Sequence, residues 1–333
     1  MSITIGVNGL GRIGKCIVLQ ILNSYKNIKL KVINDIGLDI KKIDYISDIE
    51  YYLKYDSVHK YNNDFNIEKL SEKSIKINHH IIEIFSEKNP ENVIWDCDIV
   101  IDCTGQFFYN NYNHTDIKLV IFTHIVKDMK TYIYGISKIS EISKVISASS
   151  CTCNSIFPLI KVINDKYKIK FVNYTLIQKV TGRSKTIDTT FIKNNRNNRS
   201  IINNIIPSKT PEVEVEISKF IPSLEGNLKS NVLRIDCTNA SLIDLNIQFE
   251  SDTSLENILD TIKENNLYND VFYIEKQPLT SVDFITTTIP SIIDYNSSEQ
   301  LNNSMVKLMI WFDNEWSYCS QIIKILEEFK ENN

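Results

Sequence analysis

The run Ile5-Gly6-Val7-Asn8-Gly9-Leu10-Gly11-Arg12-Ile13-Gly14 constrains this chain more than any other stretch of it. Four of the nine glycines in 333 residues fall within its first 14 positions, in a chain far poorer in Gly than the ~7% of ordinary proteins. The spacing G-x-G-x-x-G has a physical meaning. Gly9 permits a tight turn, Gly11 lets backbone approach a pyrophosphate, and Gly14 lets helix and strand pack closely, with phosphates resting on the positive end of the helix. Ile3, Ile5 and Val7 precede the turn in strand alternation; Ile13, Ile17, Ile21 and Leu22 follow at helical spacing. A second apolar strand, Leu30 to Asn34, then ends in Asp35, about 20 residues beyond the last glycine, where a carboxylate meets an adenosine ribose diol. An ordinary strand–helix turn is the competing reading, but it explains neither the strand nor the acid. Asp35 would repel a 2′-phosphate, so the expected cofactor is NAD and not NADP.

Composition bounds the rest. The length suits two domains, and 43% apolar with 23% charged residues is that of a soluble globular protein. No apolar run reaches the ~18 residues of a membrane span, and the first strand begins so early that no signal peptide is expected. A net charge of −4 gives no reason to invoke nucleic acid or a membrane surface as partner. Seven scattered cysteines (Cys16, Cys97, Cys103, Cys151, Cys153, Cys237 and Cys319) suit free thiols in a reducing cytoplasm. Cys151-Thr152-Cys153 has no partner pair or His cluster downstream, so no metal site is expected.

Along the chain, the first 150 residues alternate short apolar strands with helical segments, which predicts a doubly wound α/β sheet. Strands are expected at Ile75 to Ile77, Ile81 to Phe85, Ile99 to Cys103, Leu119 to Thr123 and Val145 to Ala148, with a helix over Lys41 to Leu53. Residue 151 is the expected boundary. Beyond it come a helix over Asn154 to Tyr167, then long strands at Phe171 to Ile177, Asn231 to Ile235, Ser241 to Phe249 and Met305 to Phe312, then a final helix near Trp316 to Lys330. Long strands with few helices predict an α+β domain with a large mixed or antiparallel sheet.

Cys151 closes an apolar strand just ahead of a helix, where the dipole and free N–H groups favour thiolate. A buried inert Cys is the commoner reading of such a thiol alone. Beside a dinucleotide fold it suggests covalent aldehyde oxidation, through a hemithioacetal and then a thioester. Between Lys179 and Arg199 six cations (Lys179, Arg183, Lys185, Lys193, Arg196 and Arg199) stand against one anion, Asp188. The cluster suits a phosphorylated substrate, with a solvated basic loop as the alternative.

Gly6 to Gly14, Leu53-Lys-Tyr-Asp-Ser-Val-His59, Ser150-Cys-Thr-Cys-Asn154, Asn204-Ile-Ile-Pro207 and Trp311-Phe-Asp-Asn-Glu-Trp316 together resemble the glyceraldehyde-3-phosphate dehydrogenase superfamily along nearly the whole chain. Phe122-Thr-His124, Tyr134-Gly135, Ile156 to Lys161, Pro278 to Phe284 and Trp316 look more like D-erythrose-4-phosphate dehydrogenase within it. The resemblance implies a Rossmann-type NAD domain over 1–150, a catalytic domain over 151–314 and a C-terminal helix, 315–333, returning to the NAD domain. It implies Cys151 as nucleophile, flanked by Ser150 and Thr152 at the substrate. Gly9, Gly11, Arg12, Ile13 and Gly14 would meet the cofactor phosphates, Asp35 the ribose, Lys88 the adenine side and Asn314 the nicotinamide amide. Thr181, Arg199, Thr210, Pro211 and Arg234 would line the substrate site, and four subunits would assemble.

The resemblance breaks at the thiol-activating His, which should stand at position 178; the residue there is Gln178, and no His lies beyond His124. Gln cannot take a proton, and a lost general base costs about 10²–10⁴-fold. Pro211 has no N–H for a phosphate oxygen, and Asp236 puts an anion near Arg234. Three readings follow: oxidation of D-erythrose 4-phosphate to 4-phosphoerythronate, in pyridoxal 5′-phosphate synthesis; oxidation of glyceraldehyde 3-phosphate; and a catalytically silent NAD-binding protein. A hydroxy-acid dehydrogenase would need a His base beyond the first domain.

Overall fold

A computed structural model describes residues 2–25, 27–42, 44–59, 65–106, 112, 116–182, 184–190 and 195–332; Arg183 and Lys193 of the basic segment lie outside them. The chain divides into two units, Met1–Ser149 with Ile322–Asn333, and Ser150–Gln321.

The first unit is built on β1 (Ile3–Asn8), α1 (Arg12–Ser24), β2 (Ile28–Asn34), α2 (Tyr45–Lys54), β3 (Ile67–Lys69), β4 (Ser74–Ile77), β5 (His80–Phe85), β6 (Ile99–Asp102), β7 (Leu119–Phe122) and β8 (Val145–Ser147). Its sheet runs β3-β4-β5-β2-β1-β6-β7-β8. The six strands from β5 to β8 are parallel, and β3 and β4 add an antiparallel edge. Ile5, Val7, Ile99, Val100, Ile101 and Leu119 to Phe122 are all buried. That is the near-continuous apolar run of parallel strands covered on both faces. Strand order reverses between β1 and β6, and the glycine turn leaves β1 at that switch point.

The second unit holds α3 (Cys151–Tyr167), β9 (Ile169–Gln178), β10 (Ile205–Ser208), α4 (Pro211–Phe220), β11 (Leu228–Ile235), β12 (Ser241–Phe249), α5 (Leu255–Glu264), β13 (Phe272–Glu275), β14 (Ser291–Asn302) and β15 (Met305–Phe312). These strands form one mixed sheet in the order β10-β11-β9-β12-β15-β14-β13. In β9, Val172, Tyr174 and Leu176 are buried while Phe171, Asn173, Thr175 and Ile177 are half-buried. Strand alternation therefore gives the even-numbered residues the covered face. Among the described residues α4 and α5 are helices that the sequence pattern does not predict, because both are short and interrupted by polar residues.

The last helix, α6 (Trp316–Glu331), starts in the second unit and ends in the first. Within the first unit, Glu328 accepts from the Tyr132 hydroxyl at 3.0 Å, and Lys324 lies over the Tyr134 ring. Among the described residues no helix is long and apolar enough to cross a membrane.

Candidate active site

The nucleotide end is a cradle that only glycine can make. Gly9 has φ +93°, and a Cβ there would meet the Cys103 carbonyl carbon and the Thr104 nitrogen at 3.1 Å. A Cβ on Gly14 would fall 1.9 Å from the Gly9 oxygen, so α1 could not seat against the turn. A Cβ on Gly11 would meet nothing within 4 Å: this side of the turn is open. Among the described residues no side chain caps α1 and no acid stands in its first turn, as suits a helix end that receives phosphate. An open, positive glycine cradle fits a pyrophosphate. At the end of β2, Asp35 accepts from the Leu10 N–H at 2.6 Å and from the Gly37 N–H at 2.7 Å. Asn34 is stitched to the Glu87 backbone at 2.8 and 2.9 Å, and Lys88 follows it, exposed. Arg12 begins α1 with Ile13 after it, but its guanidinium forks onto Asp56 at 2.5 and 3.1 Å, a partner the motif does not reveal.

The thiol end begins with a strained turn. Ser149 has φ 59°, an uncommon conformation for a residue with a Cβ. Ser150 then caps α3, its Oγ accepting from the Cys153 N–H at 3.2 Å. Cys151 is the first residue of α3 and partly exposed, whereas Thr152 and Cys153 are buried. Burial pushes the Cys151 thiol up. Bonds from Asn314 and Thr152 and the charge of Lys179 pull it back without cancelling the rise. Desolvation thus opposes the lowering expected of a thiol at a helix start. Asn314 Nδ2 lies 3.8 Å from the Cys151 sulfur, and Asn314 Oδ1 accepts from the Ser241 hydroxyl at 2.7 Å.

Gln178 ends β9 on the covered face, and its Oε1 is buried with no hydrogen-bond partner among the described residues. Arg234 pairs with Gln178 in parallel register and with Ile206 across β10. The other candidates sit in more varied settings. Thr181 turns the chain with Ser184, its N–H donating to Ser184 Oγ at 3.1 Å. Thr210 and Pro211 start α4, with Pro211 in the first-turn position where a missing N–H costs nothing. Arg199 pairs with Asp188 at 2.9 Å, both largely exposed. Asp236, also exposed, accepts from the Asn203 N–H at 3.1 Å. Lys179 departs from the basic surface expected of it. It is buried, and its ammonium is ion-paired with buried Glu315. Glu315 lies in the Trp311-to-Trp316 run but carries no role in the sequence reading, and Ser241 has no signal beyond its place at the start of an apolar strand.

A glycine cradle at the switch point of a parallel sheet, ahead of a unit that opens with a thiol on a helix start, defines a nucleotide-dependent oxidoreductase. Comparison with known proteins carries this further. Residues 3–110 match the family description "Glyceraldehyde 3-phosphate dehydrogenase, NAD binding domain", and residues 150–314 match "Glyceraldehyde 3-phosphate dehydrogenase, C-terminal domain". The chain is 33% identical to glyceraldehyde-3-phosphate dehydrogenase 2 of Staphylococcus epidermidis over 98% of its own length and 96% of that protein's. It is 34% identical to glyceraldehyde-3-phosphate dehydrogenase of Wickerhamomyces ciferrii over 100% of both, and 32% identical to that of Schizophyllum commune over 98% and 97%. The chain belongs to the glyceraldehyde-3-phosphate dehydrogenase family, whose members are NAD-dependent oxidoreductases of small phosphorylated aldehydes, and its cofactor is NAD.

Proposed function

We propose that the chain oxidises D-erythrose 4-phosphate to 4-phosphoerythronate through a thioester on Cys151, and does so slowly because position 178 holds Gln. The observation that supports this best is the Cys151 sulfur at the start of α3 with the Asn314 amide 3.8 Å away. Bound NAD supplies the hydride acceptor. Cys151 thiolate adds to the aldehyde carbon, the carbon gives up a hydride, and the acyl group then leaves sulfur, to water as 4-phosphoerythronate or to inorganic phosphate as the acyl phosphate. Water protonates the alkoxide formed on addition, and Gln178 offers Oε1 as an acceptor to the resulting hydroxyl but cannot take up its proton. The proton leaves to water, and the oxidation is slow at neutral pH. Arg234, with Thr181 and the start of α4 at Thr210 and Pro211, would receive the substrate phosphate. We read the working form as a cytoplasmic homotetramer, as in the family.

Phe122 to His124, Tyr134-Gly135 and Pro278 to Phe284 favour erythrose 4-phosphate, whereas the names of the matched relatives favour glyceraldehyde 3-phosphate. A silent NAD-binding protein is the second reading, and Gln178 itself motivates it. NADH formation from each aldehyde phosphate, with and without inorganic phosphate, tests all three. Faster turnover of erythrose 4-phosphate, abolished by Cys151→Ser, is the expected result. Faster turnover of glyceraldehyde 3-phosphate would reassign the substrate. NAD binding without turnover of either would leave the silent reading.

A further inference from the structure

We propose that Lys179 and Ser241 are positioning residues that set the reactivity of Cys151 by holding the Asn314 amide with its N–H, and not its oxygen, toward the sulfur; this rests on Cys151 being the nucleophile. The argument is one of hydrogen-bond polarity. The Lys179 backbone N–H donates to Ser241 Oγ at 3.2 Å. The Ser241 hydroxyl, fully buried, is thus an acceptor on that side and sends its own proton to Asn314 Oδ1 at 2.7 Å. An amide has one acceptor end and one donor end. With Oδ1 engaged by Ser241, Nδ2 is the end left for Cys151 at 3.8 Å. A flipped amide would present oxygen to the sulfur and disfavour thiolate; the relay forbids the flip.

The Lys179 side chain fixes the same segment a second time. Its ammonium pairs with Glu315, the residue after Asn314, and both side chains are at most 8% exposed. Asp313, the residue before, accepts from the Thr286 N–H at 2.8 Å, the Glu315 N–H at 2.8 Å and the Trp316 N–H at 2.9 Å. Asn314 is therefore clamped on both sides in the chain and at its own oxygen. Within this unit the polar and charged groups that act on the sulfur are Asn314 ahead of α6, Thr152 on α3 and Lys179 at the end of β9, with Glu315 and Asp313 behind them. At a site where residue 178 cannot accept a proton, the thiolate depends on donors and charge alone.

The test is the rate of iodoacetamide alkylation at Cys151 in the full-length protein, followed by peptide mapping from neutral to alkaline pH. Ser241→Ala and Lys179→Met should each slow it about three- to tenfold at neutral pH, the thiolate fraction falling while the remaining thiolate gains some nucleophilicity. The variants should converge with the parent at alkaline pH. Lys179→Arg, which keeps the charge, should stay within about twofold of the parent. A Ser241→Ala protein that unfolds cooperatively like the parent and alkylates Cys151 with the parent's pH profile overturns the proposal. If Lys179→Met does not fold, Ser241→Ala and Lys179→Arg decide. Alkylation needs neither aldehyde nor NAD. A parent that turns over no aldehyde but whose variants slow as stated overturns the proposed function alone; turnover with unaltered alkylation overturns this inference alone.

Discussion

Arg234 stands beside Gln178, one strand over and in the same parallel register, so that the two side chains share the covered face of the sheet. A guanidinium next to position 178 would disfavour a charged imidazole there. A His restored at 178 should therefore be neutral at neutral pH and competent to accept a proton.

Gln178→His should raise turnover by roughly 10²-fold while leaving KM nearly unchanged, because it restores an interaction made only in the transition state. The parent's rate should climb with pH without the plateau that a His base gives, since burial holds the Cys151 thiol above its ordinary value. Steady-state kinetics across pH on both aldehyde phosphates check this. A variant as inactive as the parent, with NAD still bound, would shift suspicion to Pro211 and Asp236.

The cofactor preference should rest on Asp35. The unmutated protein should bind NAD well and NADP poorly, and Asp35→Ala should narrow the gap. Because Asp35 also accepts from the Leu10 and Gly37 N–H groups, the variant should lose about 1–3 kcal/mol of stability. Titration with both nucleotides, alongside denaturant unfolding, measures the two effects separately. Equal affinity of the parent for both cofactors would sink the assignment.

Sequence patterning captured what is local. Ser241–Phe249 and Met305–Phe312 are strands with the bounds that their alternation predicts, because each faces a core on one side only. The start of α3 came three residues earlier than its apolar spacing implies, since Ser150 caps it and Cys151-Thr152-Cys153 carries no helical stripe. Helix α5 escaped notice although Leu255, Ile258, Leu259 and Ile262 fall on one face, because its other positions are polar. What sequence could not reveal was long-range pairing. Lys179 reads as one more cation in a basic run until Glu315, 136 residues away, takes its charge. Arg12 likewise reads as a phosphate ligand until Asp56 takes its guanidinium.

Asp56 provides a stability prediction. Burial alone would raise its carboxyl, but bonds from Arg12, the His59 N–H, Lys15 and the Val58 N–H outweigh that and hold it well below the usual carboxylate range. Lys15 and Asp56 are each only 2% exposed. Asp56→Asn would strand the Lys15 ammonium in the interior, at a cost of about 3–5 kcal/mol. The depressed carboxyl also fixes the sign with pH. Its contribution is complete above the unfolded value near ~3.9 and drains away as pH falls below it. Urea unfolding of the two proteins at neutral pH is the direct measurement; a loss under about 1 kcal/mol, the scale of an exposed pair, would contradict the burial argument.

His80 should control stability at milder acidity. It is only 1% exposed; its Nδ1 accepts from the Leu30 N–H at 3.1 Å, and its Nε2 is buried without a partner among the described residues. Burial, then the neighbouring His79 and Lys29, pushes its pKa down to about 4. The unfolded chain takes up that proton near ~6.5, so between these values the unfolded state binds more protons than the folded one. Stability should therefore fall as pH drops through this window, by about 3 kcal/mol in all from this one ring. Asn carries an oxygen near the place of Nδ1, can still accept from Leu30 and does not titrate. His80→Asn should be somewhat less stable than the parent at neutral pH, where it loses ring packing, yet its stability should be nearly flat across the same window. Denaturation midpoints at neutral pH and near the lower end of the window decide the matter. Parallel losses in parent and variant would mean that His80 is not the group that titrates.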